Sequence, residues 1–255
     1  MNKPLFTLKK VSTTVQNSVG LHINILKNLN LTINEGDFIT VLGSNGAGKS
    51  TLFNVIAGGI PATSGSIMLE NRNITNESAL KRTKYISRVF QDPKLGTAPR
   101  MTVAENLLLA LNRNKSFSLM PRQLNKHIDT FTKLTKQMGN GLDQRLQTSV
   151  GSLSGGQRQA LSFLMATIQK PKLLLLDEHT AALDPKTSAQ LMKLTDEKVT
   201  ANAQTALMIT HNLEDALTYG NRLIVLHAGQ ITLDVTGVEK QKLTKEDLLN
   251  YFASY

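Results

Sequence analysis

The chain has 255 residues, 40% hydrophobic and 19% charged, enough to bury a sizeable core as one large domain or two closely joined lobes. It contains no cysteine, which excludes disulfide and thiolate–metal chemistry, and no apolar run nears the ~18 residues that a membrane span needs. Its net charge of +10 fits a nucleic-acid surface, attraction to anionic lipid, or solubility alone. The densest basic cluster is Lys81, Arg82, Lys84 and Arg88, with only Tyr85 interleaved; so little aromatic surface argues against a nucleic-acid partner. Lys9 and Lys10 interrupt any signal-peptide apolar region, so the chain is expected in the cytoplasm.

The first 37 residues predict β structure: strands over 5–11, 23–26 and 29–33, then a turn at Asn34-Glu35-Gly36-Asp37. Residues 38–42 predict a short buried strand, and residues 51–57 the start of a helix. Between them Gly43, Ser44, Asn45, Gly46, Ala47, Gly48, Lys49, Ser50 and Thr51 satisfy G-x-x-x-x-G-K-[ST]. Glycines let such a loop turn its N–H groups toward one concavity, and the helix N-terminus adds about half a positive charge there. Lys49 can reach the β- and γ-phosphates and the Ser50 hydroxyl can complete a Mg²⁺ shell. The stretch is a nucleoside-triphosphate site.

Gly58-Gly59-Ile60-Pro61 then breaks the chain, with strands expected over 65–69 and 88–93 and a loop holding Pro93, Gly96 and Pro99. From about 100 to 170 the pattern turns helical. Thr102 and Glu105 form a capping box, and a helix is expected over 122–138 with Leu124, Ile128, Phe131, Leu134 and Met138 on one face, stopped by Gly139-Asn140-Gly141. A third helix should begin just after Ser154-Gly155-Gly156 and run to about Gln169. Residues 172–177 contain four consecutive leucines, as a central parallel strand buried on both faces requires. A helix over 185–199, a strand over 205–210, a short helix over 212–219, a hairpin of 223–226 with 231–235, and a C-terminal amphipathic helix over 242–255 complete the reading. It is an α/β core interrupted by a helical insertion.

Two further stretches carry chemistry. Asp177, ending the leucine strand, can hold a Mg²⁺ shell opposite Ser50, and Glu178 beside it can polarise an attacking water. Leu153-Ser154-Gly155-Gly156-Gln157 opens a helix with hydroxyl and backbone N–H donors, a second anion-binding turn. Taken in order with the phosphate loop, Gln91, Ala182-Leu183-Asp184-Pro185 and His211, these motifs resemble the full set of ABC-transporter ATPase subunits, and the resemblance covers essentially the whole chain.

That resemblance implies a P-loop NTPase (RecA-like) α/β fold: a parallel-sheet core, an N-terminal antiparallel β subdomain and an inserted α-helical subdomain. Residues 1–255 would form a single nucleotide-binding domain, with 1–91 and 159–255 as core and 92–158 as helical lobe. It implies ATP and Mg²⁺ as cofactors, with residues 43–51 cradling the phosphates. Ser50, Gln91 and Asp177 would serve the metal, Gln91 would also touch the attacking water and link the core to the helical lobe, Glu178 would be the general base, and His211 would contact the γ-phosphate. Ser154, Gly155, Gly156 and Gln157 would bind the nucleotide of a second copy, and Asp184 would signal across that dimer.

The implied partners are membrane permease subunits, with the chain peripheral on the inner face of the cell membrane, and a substrate-binding protein in the full system. The phosphate-loop segment is similar to those of importers of amino acids and other small polar solutes. His179 stands where many members carry proline, and Asp-Glu-His-Thr with Arg-Val-Phe-Gln-Asp-Pro resembles a less-studied import-type branch. Val15 falls where the family places an adenine-stacking ring, with His22 the nearest alternative. The competing reading is a soluble ABC ATPase acting on the ribosome or nucleic acid; a single cassette with short helical insertions argues against it.

Overall fold

The computed structural model describes residues 3–16, 20–113, 115 and 123–253. The chain divides into two compact units, Met1–Arg82 with Val199–Tyr255, and Thr83–Lys198.

In the first unit, β1 (Pro4–Gln16) and β2 (His22–Asn34) form a long antiparallel pair. The sequence splits β2 at Lys27-Asn28; the structure carries the strand through, because register shifts absorb the break. Lys10 and Asn28 take left-handed backbone there, with φ of 49° and 48°. Side chains replace the lost ladder partners: Lys10 N–H donates to Asn30 Oδ1 (2.9 Å) and Asn28 N–H to Ser12 Oγ (3.0 Å). The turn at 34–37 leads into β3 (Phe38–Leu42), all five residues buried, and then through the phosphate loop into α1 (Lys49–Ala57). β4 (Ser64–Leu69) pairs with the free edge of β1 and β5 (Arg72–Asn73) closes an antiparallel sheet in the order β2-β1-β4-β5.

The short α2 (Ala79–Arg82) ends on a fully buried arginine. Arg82 Nη1 donates to the carbonyls of Val55 (2.7 Å) and Ile56 (2.8 Å), and Nη2 to those of Ile74 (2.7 Å) and Thr75 (3.0 Å). It satisfies the orphan acceptors at the end of α1 and so fixes the helix that carries the phosphate loop. The basic cluster read from the sequence is therefore no surface patch: Arg82 is 2% exposed, and the Arg88 side chain 15%.

In the second unit, β6 (Ile86–Val89) is shorter than the strand expected over 88–93, because Asp92 caps a 3-10 turn at Pro93–Gly96. α3 (Val103–Leu111) opens with the expected capping box: Glu105 N–H donates to Thr102 Oγ1 (3.2 Å), and Thr102 N–H to Glu105 Oε2 (2.7 Å). α4 (Ile128–Lys136) starts later than residue 122, which lies outside the described residues; Leu124–His127 form a 3-10 turn instead, entered through Gln123 at φ 49°. Phe131 on its apolar face is buried as expected, as is Met138 just past its end. α5 (Gly155–Thr167) takes both signature glycines into its first turn, with Ser154 as N-cap. β7 (Leu173–Asp177) is buried along its whole length and pairs in parallel with β6, Ile86 opposite Leu173 and Val89 opposite Leu176. α6 (Pro185–Ala201) follows.

The chain then returns to the first unit with β8 (Ala206–Ile209), α7 (Leu213–Thr218), β9 (Arg222–His227), β10 (Gln230–Thr236), α8 (Gly237–Lys242) and α9 (Lys245–Ala253). β3 lies between β8 and β9 and runs parallel to both, while β10 is antiparallel to β9. The helix expected over 242–255 forms as α9, and a short helix that was not expected, α8, precedes it. Thr244 and Asp247 open α9 with a reciprocal cap, Asp247 N–H to Thr244 Oγ1 (3.1 Å) and Thr244 N–H to Asp247 Oδ2 (2.8 Å). Leu248 of α9 is fully buried with Leu42, Ala216, Leu223 and Val225, which anchors the strand that feeds the phosphate loop.

Candidate nucleotide site

The phosphate loop leaves β3 at Gly43, where an added Cβ would run into the Leu226 carbonyl oxygen. It ends at Gly48, whose φ of 103° would strain any other residue and whose Cβ position stands 3.1 Å from Leu26 Cδ2. Gly48 is the N-cap of α1, so no side-chain acceptor occupies the helix's first N–H groups, and no acidic residue stands in its first turn. The positive end of the helix is left to an external anion. Lys49 is 6% exposed, and its Nζ donates to the carbonyls of Gly43 (2.6 Å) and Ser44 (3.0 Å), tying the loop's entry to its exit. Ser44, Asn45, Gly46 and Ser50 are exposed on the same loop, and Thr51 is partly buried.

Strand register brings the expected histidine to this loop. Val41 of β3 pairs with Ile209 of β8 in parallel, so Gly43 and His211 both emerge from the carboxyl ends of adjacent strands. Gly43, Ser44 and His211 line one cavity of about 430 Å³, together with His227 and Phe252. Asn212 fixes the turn beyond His211 by accepting the Glu214 (2.9 Å) and Asp215 (3.4 Å) N–H groups, capping α7. His227 and Phe252 carried no sequence signal; they arrive from β9 and α9 by topology alone.

The β1–β2 hairpin separates the two candidates for an adenine contact. Val15 pairs with Ile23, whereas His22 pairs with Gln16, so the two lie on opposite faces. Ile25 shares the face of Val15 and Ile23, and its Cγ2 stands 3.5 Å from where a Gly48 Cβ would be. Leu26 Cδ2, from the next residue along β2, comes nearer still at 3.1 Å, so β2 meets Gly48 through aliphatic side chains; residues 17–19 lie outside the described residues.

The second unit assembles the remaining motif residues. The β6–β7 register puts Gln91, just past β6, at the same strand ends as Asp177 and Glu178. Asp177 is 8% exposed and pairs through Oδ2 with Arg88 Nη2. Glu178 takes a left-handed φ of 45°, and its carbonyl accepts the Ala181 N–H (3.0 Å) to close the following turn. His179 is buried: Thr195 Oγ1 donates to the Leu191 carbonyl (2.8 Å), which leaves it to accept from His179 Nε2 (3.1 Å). Phe163 stacks on the imidazole, and burial lowers its pKa to about 4, so it is neutral near pH 7.

Ser154 caps α5 by accepting the Gln157 N–H (3.2 Å), and Gln157 Oε1 accepts the Ser154 N–H in return (3.3 Å). Gln157 Nε2 donates to the Asn140 carbonyl (3.0 Å), so both ends of its amide are engaged within the unit. A Cβ on Gly155 would meet open space, whereas one on Gly156 would lie 2.8 Å from Thr187 Cγ2. The signature turn therefore packs against the start of α6, where Asp184 accepts the Thr187 N–H (3.0 Å). Bonds from Thr187 hold the Asp184 carboxyl below its ordinary pKa. The sequence reading missed Gln159, which is 1% exposed and donates to the Phe90 carbonyl (3.0 Å), linking α5 to the residue before Gln91.

Among the described residues no three His, Cys, Asp or Glu side chains cluster as a metal cage. A Mg²⁺ ion keeps waters and takes only one or two protein oxygens plus phosphates, and the enclosed Asp177 carboxylate is a donor of that kind.

The ABC transporter family profile matches residues 26–181. The chain is 48% identical over 248 residues to the tyrosine transport ATP-binding protein of Clostridioides difficile, spanning 97% of this chain and 98% of that one. It is 37% identical over 212 residues to the spermidine/putrescine import ATP-binding protein PotA of Haemophilus ducreyi, spanning 83% of this chain and 54% of PotA. The bacterial ABC transporter cassette MJ0796, solved as a dimer, matches with a TM-score of 0.78 at 28% identity, over 91% of this chain and 98% of that one. The same cassette has been solved in a dimeric post-hydrolysis state with ADP and Pi. With a P-loop NTPase fold and the motif order of such cassettes, the chain belongs to the ABC transporter family and is one of its ATPases.

Proposed function

We propose that the chain is the ATP-hydrolysing subunit of a membrane importer for a small solute such as an amino acid, working as a pair of identical cassettes that sandwich two ATP molecules. The printed functions of its relatives, tyrosine transport and spermidine/putrescine import, support the import reading. Transport itself falls to a separate permease, on whose cytoplasmic side the chain sits; none of the helices described is long and apolar enough to cross a membrane. The helical residues 92–158 and Gln91 receive that permease, residues 1–91 and 159–255 form the catalytic core, and a solute-binding protein supplies the cargo. Asp-Glu-His-Thr after β7 marks the import-type branch.

The roles follow the chemistry of each residue. Residues 43–51 cradle the triphosphate, and Ser50, Asp177 and Gln91 hold Mg²⁺, which when bound neutralises charge on the phosphates. Glu178 takes a proton from the attacking water, and His211 donates to the γ-phosphate. Asp184 transmits the state of one site to the other.

The observation that carries the paired reading is the signature turn. Ser154 and Gly155 are exposed, and nothing packs where a Gly155 side chain would be, so the start of α5 is open to a second chain's nucleotide. Ser154→Asp tests this without unmaking the helix, because Asp caps as well as Ser. The carboxylate would face the partner's phosphates, so turnover should fall by on the order of 100-fold or more, with ATP binding to the monomer nearly unchanged. Wild-type turnover in Ser154→Asp would rule out a composite site.

Adenine rests on the aliphatic face of Val15 and Ile23. Base–aromatic stacking is worth roughly 1–3 kcal/mol, so Val15→Tyr should tighten ATP binding about fivefold at the low end of that range. It should leave hydrolysis at saturating ATP unchanged. A titration showing no gain in Val15→Tyr and a large loss in His22→Ala would move the base to the other face of the hairpin.

A further inference from the structure

β6 carries a cation that none of these roles uses. Arg88 stands opposite Leu175 in the parallel β6–β7 register, so its side chain leaves the sheet on the face from which Asp177 projects two residues later. Its Nη2 pairs with Asp177 Oδ2, and the guanidinium lies over the Phe90 ring, 4.7 Å from the centroid. The two side chains are 15% and 11% exposed. A carboxylate so enclosed loses much of its hydration, and a nearby fixed cation offsets that loss. The Phe90 face in turn holds the guanidinium in place. Before any nucleotide arrives, Asp177 therefore already has a positive charge on one oxygen.

We propose that Arg88 is the resident counter-ion of Asp177 and opposes Mg²⁺ there, so that it sets the free Mg²⁺ concentration at which the cassette accepts its metal–nucleotide complex. The proposal rests on the assignment of Asp177 to the metal. Two like charges drawn to one partly buried carboxylate repel at short range, where solvent screens them weakly. Removing the guanidinium charge frees the full charge of Asp177 for the metal. Through Phe90, the Arg88 side chain also lies one residue from Gln91, so occupancy of Asp177 is felt where the permease-facing loop begins.

The test uses the full chain, a non-hydrolysable ATP analogue, and Mn²⁺ as the metal probe, with free Mn²⁺ followed by electron paramagnetic resonance. Arg88→Met keeps an unbranched apolar stem and removes the guanidinium with its charge. The half-saturating Mn²⁺ concentration should fall at least fivefold, while Arg88→Lys stays close to wild type. Thermal melts supply a second reading: nucleotide-free Arg88→Met should melt below wild type, and Mg²⁺ with the analogue should close the gap. A purely structural arginine would leave the same gap with and without metal–nucleotide, and that result overturns the proposal. So does an unchanged or raised Mn²⁺ requirement in Arg88→Met; should that variant fold poorly, Arg88→Gln takes its place. Asp177→Asn separates the two layers. If it leaves the Mn²⁺ requirement unchanged, the metal assignment falls and the proposal with it. If it raises the requirement while Arg88→Met fails to lower it, only the counter-ion falls.

Discussion

Glu178→Gln is expected to lower ATP hydrolysis by on the order of 100-fold or more, the size of a lost acid–base contribution, while ATP still binds. The substitution is nearly isosteric, so the turn after β7 should survive: the Ala181 N–H bond is made to the backbone carbonyl of residue 178, which the change does not touch. The left-handed φ of 45° at this position is uncommon for a residue with a Cβ, and Gln tolerates it about as well as Glu. The amide cannot take the proton of the attacking water, so ATP should persist and the paired cassettes should accumulate as an ATP-dependent dimer. Single-turnover hydrolysis and size-exclusion chromatography with ATP provide the two measurements. Normal turnover in Glu178→Gln would remove Glu178 from the base role and leave the β7 end with Asp177 as its only chemical group.

Lys49→Ala should fail in a different way. Lys49 Nζ holds the carbonyls of Gly43 and Ser44 at 2.6 and 3.0 Å, and the side chain is buried against its own loop. Its removal costs the loop two tethers and takes a cation from the loop that the proposed triphosphate would occupy. Charge-assisted hydrogen bonds contribute about 1.5–3 kcal/mol each, so ATP affinity should fall by on the order of 100-fold. No ATP-stabilised dimer should form, in contrast to Glu178→Gln. Isothermal titration with ATP, with a thermal melt to show that the fold persists, tests both halves. A stable ATP dimer in Lys49→Ala would overturn the role assigned to the lysine.

The phosphate loop, the leucine strand and the signature turn were legible in the sequence because each is a local structure. Their backbone geometry is dictated by glycines, caps and hydrophobic runs within a few residues of one another. The Thr102–Glu105 and Ser154–Gln157 capping boxes are of the same kind, since an N-cap and its N3 partner meet by helix geometry alone. Where the sequence reading went astray, the deciding partner was far along the chain or the pattern was read as a break. β2 runs through Lys27-Asn28 because Ser12 Oγ, on the neighbouring strand, accepts the N–H that the bulge leaves over. Leu248 of the final helix packs in a cluster with Leu42, Ala216, Leu223 and Val225, partners that only the fold brings near.

By itself the sequence determined a glycine-rich loop between a buried strand and a helix, and it supplied the ordered motifs of an ABC ATPase. Only the tertiary structure decided which charges face solvent and which face each other. Arg82 and Arg88 look alike in a basic run, yet one is buried among four carbonyls and the other pairs with Asp177. Likewise Val15 and His22 are equal candidates along the chain, and strand pairing puts them on opposite faces. Motif chemistry is local and is written in neighbouring residues, whereas burial, charge pairing and the choice of face depend on register between strands distant in sequence. Those are settled only when the whole core packs.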